Sequence, residues 1–147
     1  MPINNTQGSF NTGRDVVITV MGPNLVPIFL ANVTEFESKP VYADIKIDRL
    51  DGVQLNAALP KGWTGSITAD RGSNAMDALV DYIEANWYAN GTYQVGQIFE
   101  QISETDGSTT VYAYDNVAFK MSDAGMWKGD SSVKQKLDWE ANRRRLV

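Results

Sequence analysis

The chain contains no cysteine and no histidine among its 147 residues. Without cysteine there is no disulfide framework, no thiolate zinc site and no cysteine nucleophile. Without histidine the chain lacks the side chain whose ordinary pKa lies nearest neutrality. Ser-His-Asp triads, Cys-His dyads and imidazole-bound metals are therefore excluded within it. No apolar run approaches the ~18 residues that a membrane-spanning helix needs, so no membrane insertion is expected. The opening MPINNTQGSFNTGRD has neither the basic start nor the apolar stretch of a secretory leader. The glycines at 8 and 13, and at 62 and 65, lack the ending of a phosphate-binding loop. Asp48-Arg49-Leu50-Asp51-Gly52 lacks the alternating acids of a calcium loop. Nothing singles out a catalytic pair among the 18 acidic residues. The expectation is a protein with no metal, no cofactor and no enzymatic site.

What is present is the balance of a folded globular domain, 43% apolar and 21% charged, and residues 1–147 read as one domain. The net charge of −5 argues against a surface that grips nucleic acid. That charge is uneven. After residue 127 six basic residues face three acidic ones, so a tail of +3 follows a body of −8. Unlike ends of that kind suit association between copies.

Residues 1–13 are rich in Asn, Thr and Gly and read as a flexible arm. Arg14–Met21 is β-branched and predicts a strand, Gly22-Pro23-Asn24 a turn, and Val26–Val33 a second strand. Val41–Leu50 alternates, with Val41, Ala43, Ile45 and Ile47 against Tyr42, Asp44, Lys46 and Asp48, which predicts one buried and one wet face. Asp51-Gly52 is a turn signal, and Val53–Gly62, with Pro60 and Gly62, reads as a loop or broken hairpin before a strand over Trp63–Asp70.

One helix is predicted. Asn74 is placed to cap it and Asn90-Gly91 to stop it. Met76, Leu79, Val80, Ile83 and Trp87 draw a single apolar stripe, with Asp77, Asp81 and Glu84 on the other side. Thr92–Glu104 and Ser108–Met121 flank Thr105-Asp106-Gly107 as a long hairpin, with a β-bulge expected at Gly96. In its second arm Val111, Ala113, Val117 and Phe119 share a parity that Asp115 interrupts. Tyr112, Tyr114 and Trp127 read as core or interface aromatics. Ser131–Asn142 alternates as a last strand, Val133, Leu137, Trp139 and Ala141 against Lys134, Lys136, Asp138 and Glu140. The sum is about seven strands and one helix, a mainly β protein built as a β-barrel or β-sandwich with the helix packed against it. Long strands leave edges, and a ring of identical subunits is one way to close them.

This order of parts resembles the tail tube proteins of long-tailed bacteriophages and, more distantly, the tube protein of type VI secretion systems. The likeness rests on the strand pair, the region around Val53–Gly62, the helix after Asp70-Arg71-Gly72, the hairpin at Asp106-Gly107 and the final SSVKQKLDW strand. It implies hexameric rings stacked into a tube with a continuous inner barrel, through which DNA passes without sequence-specific binding. It also implies a tape measure protein, a baseplate, a tail terminator and a sheath as potential partners. The place of action would be the virion tail, after synthesis in the host bacterial cytoplasm. By parity Asp44, Lys46, Asp48, Lys134, Lys136, Asp138 and Glu140 are the candidates to line the channel. Arg143, Arg144 and Arg145, the N-terminal arm and the Val53–Gly62 segment are the candidates for contacts between rings. The alternatives are another ring-forming part, such as a terminator or baseplate protein, and a monomeric barrel for a small ligand.

Overall fold

The computed structural model describes residues 2–23, 27–28 and 33–147. Within the first thirteen, β1 (Ile3–Asn5) and β2 (Gly8–Phe10) form a small two-stranded sheet separate from the main one. A 3-10 turn over Gly13–Asp15 follows. The Thr12 side chain and Asp15 carboxylate cap it reciprocally.

The main sheet contains eight antiparallel strands. β3 (Val16–Met21), β4 (Pro27–Ile28), β5 (Val33–Asp48), β6 (Gln54–Asp70), β7 (Gly96–Ser103), β8 (Thr109–Asp123) and β9 (Lys134–Ala141) run in the order β4-β3-β7-β8-β9-β6-β5. β10 (Arg143–Leu146) lies beside the first half of β8. Of the strand expected over Val26–Val33, only Pro27–Ile28 and Val33 fall within the described residues; the rest, and Asn24 of the preceding turn, lie outside them. The Val53–Gly62 segment is not a loop: it is the first half of β6, in continuous register with β5 from Asp48↔Gln54 to Tyr42↔Pro60. Pro60 is tolerated there because the far side of β6 has no partner at that level, so no ladder bond is lost.

β8 is the hinge of the fold. Its first half pairs with β7 and β10, its second with β9. Between these halves Asn116 takes a left-handed conformation, φ 51°. The β7 register moves from Ile98↔Tyr114 to Gly96↔Val117, so the extra residue sits on β8 and not on the Gly96 strand where the sequence suggested it. One inserted residue inverts the parity of all that follows. Tyr114 thereby joins Val117 and Phe119 in the core, and the face expected for Val111, Ala113, Val117 and Phe119 does not exist as one face.

The core gathers Ile67 and Ala69 from β6, Ile98 from β7, Leu137, Trp139 and Ala141 from β9, and Val20 from β3. Tyr114 meets Trp139 edge-on at 4.8 Å between ring centres, and Phe36 stacks on Trp139 at 5.7 Å. Gly65 makes room for this cluster: a methyl group there would strike the Glu37 carbonyl and the Trp139 ring.

Helix α1 (Ala75–Asn90) seats Met76, Leu79 and Ile83 in the same core. Asn74 caps it through its carbonyl, which accepts from Ala78 at 2.8 Å, and not through its side chain. The first turn is tied down by Asp77, which accepts from Gln135 Nε2 at 2.9 Å and from Arg71 Nε at 3.3 Å. Gly91 ends the helix at φ 67° and donates to the Trp87 carbonyl. The stripe outruns the sheet: Trp87, expected in the core, is 52% exposed.

Candidate assembly surfaces

Two surfaces stand out. The first is the polar side of β5, β6, β9 and β8. Register aligns its side chains in rows across the strands. One row is Glu37, Ser66, Asp138 and Lys120; the next is Lys39, Thr64, Glu140 and Ala118; a third holds Glu35, Thr68, Lys136 and Asp123, and beyond it Asp70 stands beside Lys134. Hydroxyls run down the middle and charges flank them. Lys39 Nζ pairs with Glu37 Oε1 at 2.8 Å along the same strand. The rows frame an open cleft of about 700 Å³, closed at one side by Tyr93, whose hydroxyl donates to the Phe119 carbonyl at 2.9 Å. Four bases (Lys39, Lys120, Lys134, Lys136) stand among six acids (Glu35, Glu37, Asp70, Asp123, Asp138, Glu140), so the charges are interspersed with a small acidic excess.

The second surface is the outer half of the β5–β6 hairpin. Beyond Val41↔Gly62 the partner β9 has ended, and residues 41–61 continue as a two-stranded ribbon turned at Asp51-Gly52. One side of it is apolar: Val41, Ala43, Ile45 and Ile47 beside Leu55, Ala57 and Leu59. The sequence predicts that side to be buried. In a single chain it is not: Ile45 is 42%, Ile47 53% and Leu55 47% exposed. The other side carries Tyr42, Asp44, Lys46 and Asp48.

The candidate channel residues therefore divide. Lys134, Lys136, Asp138 and Glu140 share the polar sheet face. Asp44, Lys46 and Asp48 have the opposite pleat parity from Glu37 and Lys39 on β5, so they stand on the ribbon's other side. Glu35, Glu37, Lys39 and Lys120 join the polar face without having been singled out. The alternation Glu35, Glu37, Lys39 was the available signal, hidden by Pro40 in the middle of β5.

The three terminal arginines also differ among themselves. The Arg144 guanidinium is held between the Trp63 and Tyr112 rings at 4.0 and 4.1 Å. Arg145 Nε pairs with Asp115 at 2.7 Å. Arg143 is exposed and makes neither kind of contact. Trp127 is 71% exposed and lies over Arg71, while Tyr114 is core. Among the described residues no helix is long and apolar enough to cross a membrane, and no three acidic side chains come together as metal ligands would.

An open antiparallel sheet, one helix on its core side and a projecting ribbon have counterparts among solved structures. The fold is that of the injection-tube proteins. A chain of the anti-feeding prophage tube-terminating cap superposes with a TM-score of 0.64 at 12% identity, over 92% of this chain and 89% of that one. A chain of the PVC extracellular contractile injection system, in its extended sheath–tube complex, gives 0.64 at 10% identity over 92% and 90%. The SPP1 tail tube gives 0.58 at 10% identity over 92% and 77%. These neighbours are tube and tube-terminating proteins, structural parts and not enzymes. No protein-family model matches the sequence, and no curated protein matches it by sequence. At such identities the tube fold is shared through its backbone, with almost none of its side chains in common.

Proposed function

We propose that the chain is a structural subunit of a tail tube, joining copies of itself into hexameric rings that stack into a hollow conduit. The observation that carries this is the ribbon. A two-stranded hairpin is marginal in water by itself, and this one presents an apolar side that nothing among the described residues covers. A neighbouring copy supplies the cover. The outer edge of β5 argues the same way: among the described residues its 16 residues pair on one side only. Such edges invite another strand, and ring symmetry satisfies them without runaway growth.

In this reading the polar face of β5, β6, β9 and β8 lines the conduit. Its interspersed charges, with a small acidic excess, repel phosphates weakly, so DNA slides past without capture. Asp44, Lys46 and Asp48 then stand on the ribbon's other side, away from the one that a neighbouring copy covers. The β1–β2 hairpin and Arg143 are the groups left to touch the next ring. A tape measure protein, a baseplate, a terminator and a sheath are the partners that a virion tail of this kind would bring, with synthesis in the host cytoplasm. A terminator ring is the second reading, favoured by the likeness to a tube-terminating cap. A monomeric ligand-binding barrel is not favoured, because the sheet's end strands β4 and β5 do not pair with each other among the described residues.

Negative-stain microscopy and gel filtration of concentrated protein test it. Rings or tubes are expected for the native chain. The double variant Ile45→Asp/Ile47→Asp should run as a folded monomer with an unchanged circular dichroism spectrum. Arg143→Glu should leave rings intact and shorten stacks. A native chain that stays monomeric at high concentration overturns the proposal.

A further inference from the structure

We infer that the apolar side of the ribbon seats in the groove between α1 and β8 of a second copy, an inference that rests on the assembly reading above. The groove holds about 420 Å³ and is lined by Val80, Trp87, Tyr88, Tyr93, Phe119 and Met121, with Glu84 and Lys120 at its mouth. Its aromatics are expensive to leave in water: Trp87 is 52%, Tyr88 83% and Tyr93 48% exposed. Large amphipathic rings around an apolar concavity are the usual anchors of a protein interface.

Size supports the match. From the exposed fractions, the ribbon side and the groove each present roughly 500 Å² of apolar surface, the upper end of what a monomer leaves in one patch. Joined, they bury about 1,000 Å², the lower bound of a specific interface. Position excludes the alternative that a chain covers itself. β6 carries the ribbon at its Gln54 end and leads into α1 from its Asp70 end. Phe119 and Met121 of the groove stand level with Gly65 and Ile67 of β6, eight to ten extended residues, about 25–35 Å, from the middle of the ribbon at Ala57. Seating one copy's ribbon in the next copy's groove joins unlike surfaces head to tail. That is the kind of contact that propagates into a ring.

The absence of native cysteine makes the test clean. Ile47→Cys and Tyr88→Cys, alone and combined, are joined with a short bis-maleimide, which adds each thiol across a double bond, under assembling conditions and run on a denaturing gel. The combined variant should give a ladder of dimers, trimers and higher species; neither single variant should. Tyr88→Asp should raise the concentration at which rings form tenfold or more, as Ile47→Asp does, and the two together should do little more than either. Dimers from Ile47→Cys alone would mean ribbon-on-ribbon packing and overturn the seat. Rings by microscopy without any ladder would also overturn the seat while sparing the assembly reading. A native chain that forms no rings removes both.

Discussion

Residues 33–40 and 62–70 belong to the same hairpin as residues 41–61, yet the two halves end in opposite environments. The inner half is built into the sheet, with Phe36 against Trp139 and Ile67 fully buried. The outer half keeps period two but turns its apolar residues to the side on which Glu37 and Lys39 stand, and leaves Ile45, Ile47 and Leu55 in solvent. Period two tells which residues share a side; it does not tell what covers that side. In the inner half the cover is β9 and the core of the same chain. In the outer half it has to come from elsewhere, and that difference is the physical basis for reading the protein as an assembly part.

Substitutions in the inner sheet and in the ribbon should give unequal results. Trp139→Ala, in the inner sheet, should cost about 3–5 kcal/mol of stability. Gly65→Ala should also be destabilising, since the added methyl displaces the same ring and the Glu37 backbone. Ile45→Ala, in the ribbon, should change the stability of the isolated chain by no more than about 0.5 kcal/mol. Chemical denaturation of dilute protein measures all three. If Ile45→Ala cost as much as Trp139→Ala, the ribbon would be packed in the monomer and the contrast would collapse.

Much of the fold was legible because it follows from local patterns. The helix, its glycine stop, the Asp106-Gly107 turn, the last strand and the β-rich class all rest on periodicity and turn chemistry. What was not legible depended on partners distant in sequence. Val53–Gly62 looks broken in the sequence because Pro60 and Gly62 are poor strand residues; Pro60 is acceptable because β6 has no second neighbour at that level, and Gly62 because it sits at a bulge, φ 114°, tight against the Ala141 carbonyl. The parity of β8 was misjudged because a single left-handed Asn116 inverts it, and asparagine in a strand carries no unambiguous signal. Asp44, Lys46 and Asp48 were grouped with Lys136 and Asp138 because both sets are wet, although the pleat puts them on different sides. Arg144 was read as tail charge because its ring partners, Trp63 and Tyr112, lie far away along the chain.

Arg144 sharpens the comparison, since Trp63 stands where the inner half gives way to the ribbon. Its guanidinium, between two rings, fastens β10 to that junction. Arg144→Ala should cost about 1–2 kcal/mol, more than a surface charge deserves. Hydrogen exchange should rise along β10 and around Trp63, and not at the ribbon tip. Arg144→Lys, which keeps the charge without the flat stacking surface, should recover only part of the loss.

The smallest effect concerns Glu100, buried on β7 beside the same arginine. Burial pushes its carboxyl above the ordinary glutamate range, and the Arg144 charge draws it part-way back. An acid whose pKa is raised by folding binds its proton more tightly in the native state. Its contribution to stability is therefore most favourable below the ordinary glutamate pKa and declines as pH rises through the raised value. Glu100→Gln removes that decline. The variant should melt slightly above the native chain at pH 7, and the gap should close as pH falls toward 4. In an Arg144→Ala background the gap at pH 7 should widen, because the carboxylate then stays buried without its cation. An unchanged gap would separate the two residues and confine the arginine's role to its rings.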